Sequence, residues 1–255
     1  MEAIQYLKNI YTGRENILRH ICLFSVFGIL AIAVTKSLAH SLGLTYFGYA
    51  PSSLFETEIC IILSIMIILF MIGYGYNYSN SIFKEKNELP DITLKSYIYF
   101  IKMVPIILIY TAYTLFLIFI GLSAFNLKQN THMAILYLTI ILFFMPFVQI
   151  ILLIYSKDFK QNLKLYNPAT IFKILPKTIS PIINFLIYLI PVFFIFILVP
   201  YYICEYSNNL VNFPLKLCLR ILSLTFWIYF IQIIYYVYLQ GLVNIIKSKS
   251  LEINE

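Results

Sequence analysis

The sequence predicts an all-α integral membrane protein, a single domain over residues 1–255 with six transmembrane helices and amphipathic interfacial segments between them. Three observations predict it. Hydrophobic residues make up 61% of the 255 positions and charged residues only 11%, whereas a soluble domain carries roughly 25% charged residues. So few charges cannot cover a water-facing surface, and 22 Phe with 22 Tyr exclude a solvated, disordered chain. The apolar residues also come in long charge-free runs, and the basic residues gather in alternate loops.

The runs define the spans in order. A helix rises about 1.5 Å per residue, so crossing a hydrocarbon core of about 30 Å takes about 20 apolar residues. The first run, 20–35, is 16 residues long and ends at Lys36. Lys36 extends its aliphatic stem toward the headgroups, which carries the predicted span over 17–40. Five further runs, 59–83, 103–127, 129–156, 178–204 and 221–246, are 25 to 28 residues each. They place spans at about 57–80, 99–122, 133–155, 180–203 and 221–246. Stretches such as Ile61–Met71 are apolar on every face, unlike the alternating strands of a transmembrane barrel. The first run follows a charged segment and no small-residue cleavage site follows it, so a retained helix is expected and not a cleaved signal peptide.

Fourteen of the 18 Lys and Arg fall in the N-terminus, the second and fourth loops and the C-terminus. Only Lys36, Lys128, Lys216 and Arg220 fall on the other side. This positive-inside bias predicts both termini in the cytoplasm of a cell membrane, inner or plasma. The net charge of +7 is spread over short segments with no nucleic-acid motif. It answers to anionic lipid headgroups, so membrane lipids and a membrane-protein partner are the expected contacts, and nucleic acid is not.

Three basic segments have apolar residues at helical spacing: residues 2–19 with Ile4, Leu7 and Ile10, the stretch after Pro90, and the fourth loop, 156–179. Each is expected to lie in the interface as an amphipathic helix. Their recurrence, with Pro90 and Pro168 78 apart and Pro105 and Pro181 76 apart, admits three parallel hairpin repeats. Tyr74-Gly75-Tyr76 and Tyr236-Val237-Tyr238 would then be corresponding positions. Any six-span chain with short loops shows a similar period, so both readings stand.

Gly73-Tyr74 closes the second span, a basic loop follows, and Leu89-Pro90-Asp91 opens the next segment. This order resembles an uncharacterised family of prokaryotic multi-pass membrane proteins, domain of unknown function 4013. That family is itself similar to the membrane domain attached to some glycerophosphodiester phosphodiesterases. The resemblance rests on Gly73, Tyr74, Leu89 and Pro90 and departs at Lys86-Asn87-Glu88, where the family tends to carry Gly. It implies a six-helix bundle and no catalytic residue. Read physically, Gly73 and Gly75 let a neighbouring helix approach, and Tyr74 and Tyr78 share a face at headgroup level. Pro90 suits a first helical turn, with Asp91 favouring the positive end of the dipole.

Polar groups near a bilayer are the candidates for function. Lys36, His40, Glu56 and Glu58 meet at the outer end of the first hairpin. They form either an outer site for a headgroup or proton, or ion pairs such as Lys36 with Glu56 or Glu58. Deeper, only the amides Gln149, Asn184 and Gln232 are expected, as bridges between helices. Pro146 and Pro191 would kink the fourth and fifth helices. No HExxH, Gly-x-Ser-x-Gly or Walker-type pattern occurs, and Cys22, Cys60, Cys204 and Cys218 form no CxxC. No catalytic centre, cofactor or metal is expected. The leading expectation is a non-enzymatic, lipid-associated or scaffolding membrane protein. The alternative is a small-solute or lipid transporter built on the kinked helices.

Overall fold

The computed structural model describes residues 2–12, 14–41, 54–86, 89–124, 131–159 and 163–249. They form seven α-helices: α1 (Glu2–Tyr11), α2 (Arg14–Ser41), α3 (Leu54–Phe83), α4 (Lys95–Ala124), α5 (Thr131–Asp158), α6 (Ala169–Asn208) and α7 (Phe213–Ser248). A single 3-10 turn, Leu163–Tyr166, precedes α6. No strand occurs among the described residues. The six helices α2 to α7 each contain a stretch long and apolar enough to cross a membrane, and each overlaps one predicted span.

Successive long helices run antiparallel, which gathers the starts of α2 and α4, the ends of α3, α5 and α7 and the Asn184–Phe185 part of α6 at one end of the bundle. The basic loops of the sequence therefore meet there, and this is called the basic end. Helices α3 and α7 lie at the centre. α7 packs on α1, α2, α3, α5 and α6, and α3 packs on α2, α4, α5 and α7. The core lies toward the basic end: Tyr74, Tyr78, Ile150, Leu153, Tyr236 and Leu242 are all buried. Toward the other end Ile61, Ile62, Leu115, Phe119, Phe194 and Ile195 are exposed, as lipid-facing side chains would be.

Side chains close the helix ends at the basic end. Asn80 Nδ2 donates to the carbonyls of Ser156 and Lys157, both at 3.0 Å, and so caps the last turn of α5. Lys247 Nζ donates to the Ile82 carbonyl at 2.8 Å and caps α3. Terminal carbonyls left by an α-helix need such partners away from water. At the far end Asn212 caps α7 by accepting from the Leu215 amide at 3.1 Å, with Pro214 in the first turn.

The three amphipathic segments take different forms. Only α1 is a separate helix. It ends before Thr12, and its Ile10 is fully buried against the bundle. The stretch after Pro90 becomes the start of α4, continuous with its span. The fourth loop does not lie flat. Tyr110 donates to the Leu165 carbonyl at 2.8 Å, and Phe172 lies 6.1 Å from Phe144 between ring centroids. The segment thus folds back along α4 and α5, burying Leu165, Ile171 and Ile174. It then runs on as α6, 40 residues or about 60 Å long. The apolar residues found a protein surface to cover, which removes more of them from lipid and water than an interface would.

Candidate functional site

The Gly-Tyr and Leu-Pro motifs meet at the basic end. Gly73 lies against the first turn of α4: a Cβ there would fall within the radius of the Ser96 carbonyl oxygen and 2.8 Å from its carbon. Gly75 instead makes room for side chains of α7, since an added Cβ would stand 2.9 Å from Tyr235 and 3.2 Å from Leu239. The close approach read from the sequence is present at Gly73. Tyr74 and Tyr78, expected at headgroup level, are fully buried instead. With α4 and α7 drawn in on either side of α3, their face has become interior. Their hydroxyls find internal acceptors as burial requires: Tyr74 donates to the Pro90 carbonyl at 2.6 Å and Tyr78 to Gln240 Oε1 at 3.1 Å.

After α3 the chain turns through Glu85, which has φ of 63°. The Lys86 amide donates to the Ser81 carbonyl at 2.9 Å and the Glu85 amide to that of Ile82 at 3.0 Å, the paired bonds of a Schellman cap. A left-handed residue with a side chain costs about 1–2 kcal/mol, which glycine avoids at some cost in unfolded-chain entropy. Glu85→Gly is expected to stabilise the protein by about 0.5–1 kcal/mol. A lower thermal midpoint for this variant in detergent would show that the Glu85 side chain contributes more than its backbone strain costs.

Leu89-Pro90-Asp91 is held from α2. Arg19 donates to the Leu89 carbonyl and pairs with Asp91 Oδ1 at 2.8 Å. Asn16 Oδ1 accepts from the Leu89 amide at 3.3 Å, while its Nδ2 donates to the Thr12 carbonyl at 2.7 Å. Pro90 therefore does not start a helix. It lies five residues ahead of α4, in a segment clasped by Arg19, and Asp91 answers that guanidinium and not a helix dipole.

Under this segment lies a cavity of about 410 Å³ at the basic end. Asn77 and Asn80 of α3 and Lys84 in the turn after it make one wall, and Lys95 and Tyr99 of α4 another. Arg19, Lys86, Asp91 and Thr93 line its rim, so four cations face one carboxylate. That carboxylate is already engaged by Arg19, and Lys84, Lys86 and Lys95 have no ion pair among the described residues. Toward the bundle centre, rings fill the space. Tyr236 lies 5.7 Å from Tyr74 and 5.5 Å from Tyr78 between centroids, and Gln149 of α5 donates to Tyr235 at 3.3 Å and Tyr76 at 3.5 Å.

A second junction was not visible as such in the sequence. His20 of α2 is buried, its Nε2 3.1 Å from the Ile10 carbonyl and its Nδ1 3.0 Å from the Tyr229 hydroxyl. A carbonyl only accepts, so Nε2 carries the proton and Nδ1 accepts from Tyr229, whose oxygen accepts from Tyr11 at 2.8 Å. Tyr11 stacks on the imidazole at 4.3 Å, and burial pushes its phenol pKa up, the Tyr229 hydrogen bond acting the other way. The network fastens α1 to α2 and α7 without a formal charge.

The outer polar cluster is less organised. Lys36 is half-buried, Glu56 and Glu58 are exposed, and the His40 side chain lies outside the described residues. No ion pair joins Lys36 to Glu56 or Glu58 among the described residues. Of the deep amides, Gln149 bridges α5 to α3 and α7 as expected. Asn184 lies instead near the basic end, lining a cavity with Asn244 and Ser248. Gln232 does not act as the expected bridge: it is buried in α7, and neither its Nε2 nor the Tyr236 hydroxyl has a hydrogen-bond partner among the described residues. Helices α5 and α6 run continuously through Pro146 and Pro191. All four cysteines are free thiols, and no group of three metal-ligating side chains occurs among the described residues.

Fold and site together define a multi-pass, all-helical membrane protein with a basic cavity at one end and an apolar far end. Comparison with protein-family models, with curated proteins and with solved structures yields no match.

Proposed function

We propose that this chain is a non-enzymatic, lipid-associated structural protein of the cell membrane, with its basic end and both termini in the cytoplasm. One observation supports this most: the basic cavity opens at the end of the bundle, and behind it the Tyr74, Tyr78 and Tyr236 rings pack together. A conduit needs a polar passage at mid-depth; among the described residues the buried polar groups there are neutral amides and hydroxyls packed among rings, which favours a structural role. The exposed far ends of α4, α5 and α6 suit lipid or the apolar surface of a membrane partner.

Reconstituted in vesicles, the protein is expected to show no saturable solute uptake above protein-free vesicles. It should gain thermal stability from anionic but not from zwitterionic lipid. Uptake that is lost in Pro146→Ala or Pro191→Ala would favour the transporter alternative. For orientation, single cysteines near 160 and 250 should label from the cytoplasm and one at 210 from outside. Labelling of position 210 from the cytoplasm would overturn the topology.

A further inference from the structure

Two cavities adjoin at the basic end, and together they have the form of a headgroup site with a tail groove. The first is the basic cavity between α2, α3 and α4. The second, about 390 Å³, is lined by Val26, Ile67, Phe70, Ile92, Leu94 and Tyr97, with Thr93 facing both. Among the described residues Thr93 is its only hydroxyl besides that of Tyr97, which donates to the Met66 carbonyl at 3.2 Å. Phe70 stands seven residues before Asn77 on α3, and Val26 seven after Arg19 on α2. At 1.5 Å per residue both lie about 10 Å further from the basic end, toward the apolar depth. Charge at the interface and apolar surface one to two turns deeper is the polarity of a lipid molecule.

We propose that these two cavities bind one anionic glycerophospholipid, its phosphate among Lys84, Lys86 and Lys95 and an acyl chain along Val26, Ile67 and Phe70. The inference rests on the lipid-associated reading above and names the lipid chemistry of that site. The three lysines are exposed cations with no carboxylate of their own among the described residues, so an entering phosphate displaces no ion pair. Arg19 is committed to Leu89 and Asp91 and serves as wall. The Asn77 side chain, which makes no hydrogen bond within the described structure, supplies amide donors for a phosphate or ester oxygen. Thr93 stands where the glycerol would pass from one cavity to the other. A free phosphate would use the first cavity alone, so the two sources of the same chemistry separate by experiment.

The test is native mass spectrometry of the full chain in detergent, titrated with dioleoyl phosphatidic acid, phosphatidylglycerol, phosphatidylcholine and sn-glycerol 3-phosphate. Wild type should hold one anionic lipid and bind phosphatidylcholine and glycerol 3-phosphate at least tenfold more weakly. Lys84→Gln/Lys95→Gln removes two interfacial cations, each of which typically contributes a factor of about five, and should weaken the anionic lipid about thirtyfold. Lys173→Gln/Lys177→Gln, an equal change of charge on the exposed side of α6, should leave it unchanged. Thr93→Trp should obstruct the passage and weaken the two-chain lipid while leaving glycerol 3-phosphate binding as in wild type. Each variant is compared at an unchanged thermal midpoint, and Thr93→Val serves as the milder groove variant if tryptophan lowers it. Equal loss in both lysine pairs would overturn the site. So would glycerol 3-phosphate binding as tightly as the lipid. A wild-type chain that retains no lipid of any class would overturn the lipid-associated reading itself.

Discussion

Gly73→Ala should be among the most damaging single-methyl substitutions in the protein, lowering stability by about 3 kcal/mol with a clear fall in thermal midpoint. Two effects compete. Alanine is worth about 1 kcal/mol over glycine inside a helix. Against that, the new methyl meets the backbone of Ser96, whose carbonyl carbon would lie 2.8 Å away. A side chain can rotate aside, but a backbone carbonyl moves only with its helix. Moving α4 would strain the Leu89–Asp91 clasp and the bond from Tyr97 to Met66. Overpacking of this kind typically costs about 1–3 kcal/mol, and backbone against backbone belongs at the upper end. Gly28 is the internal control. A methyl there would meet only the Thr225 side chain, at 3.8 Å, which is ordinary contact. Gly28→Ala should therefore be neutral or stabilising by up to about 1 kcal/mol. Equal midpoints for the two variants would mean that α4 does not rest on Gly73.

Arg19→Met is expected to cost about 2–3 kcal/mol, and Asp91→Asn less than about 1 kcal/mol. The difference comes from which partner is buried. The Arg19 side chain is 17% exposed, but its Asp91 partner is 74% exposed, so the ion pair itself is screened by water. The carbonyl of Leu89 belongs to a residue only 1% exposed, and it loses a charged donor when Arg19 is removed. Hydrogen bonds to charged groups contribute about 1.5–3 kcal/mol, and a buried carbonyl left alone costs its full desolvation. Methionine keeps most of the aliphatic volume, so lost packing is not the cause. If Asp91→Asn proved as damaging as Arg19→Met, the ion pair and not the carbonyl would be what holds the segment.

The candidate site was half legible in the sequence. Gly73, Tyr74, Leu89 and Pro90 stood out as a motif, and the structure joins them through the contact of Gly73 with Ser96 and the bond from Tyr74 to Pro90. The partners that make it a site were not legible. Arg19 and Asn16 read as ordinary residues of a basic N-terminal segment, 70 and more positions from the Leu89 they hold. His20 read as a lone histidine in no motif, yet it ties α1 to α7. Conversely, among the described residues Lys36, Glu56 and Glu58 share one end of the first hairpin and no ion pair joins Lys36 to either acid. Glu56 and Glu58 are two residues apart on a helix and so point to different sides, and water competes for both at a span end.

Fold class followed from quantities that add along the chain. Whether a segment can cross a bilayer depends on its own length and polarity, because a helix satisfies its backbone internally whatever its neighbours are. The five runs 59–83 through 221–246, with the shorter run 20–35 extended past Lys36, therefore carried the six-helix reading unaided. Which face of a helix is interior depends on helices far away in sequence, and only the tertiary structure decided that. A tyrosine is at home at the interface or in a core that offers an acceptor, since its ring is apolar and its tip polar. Tyr74 and Tyr78 went to the core because Pro90 and Gln240 stand where their hydroxyls end. An amphipathic segment likewise covers whichever apolar surface it reaches, and that of α6 reached Phe144 on α5. The basic cavity exists because Arg19 draws Leu89-Pro90-Asp91 across the ends of α3 and α4, a contact that no local pattern of charge or hydrophobicity encodes.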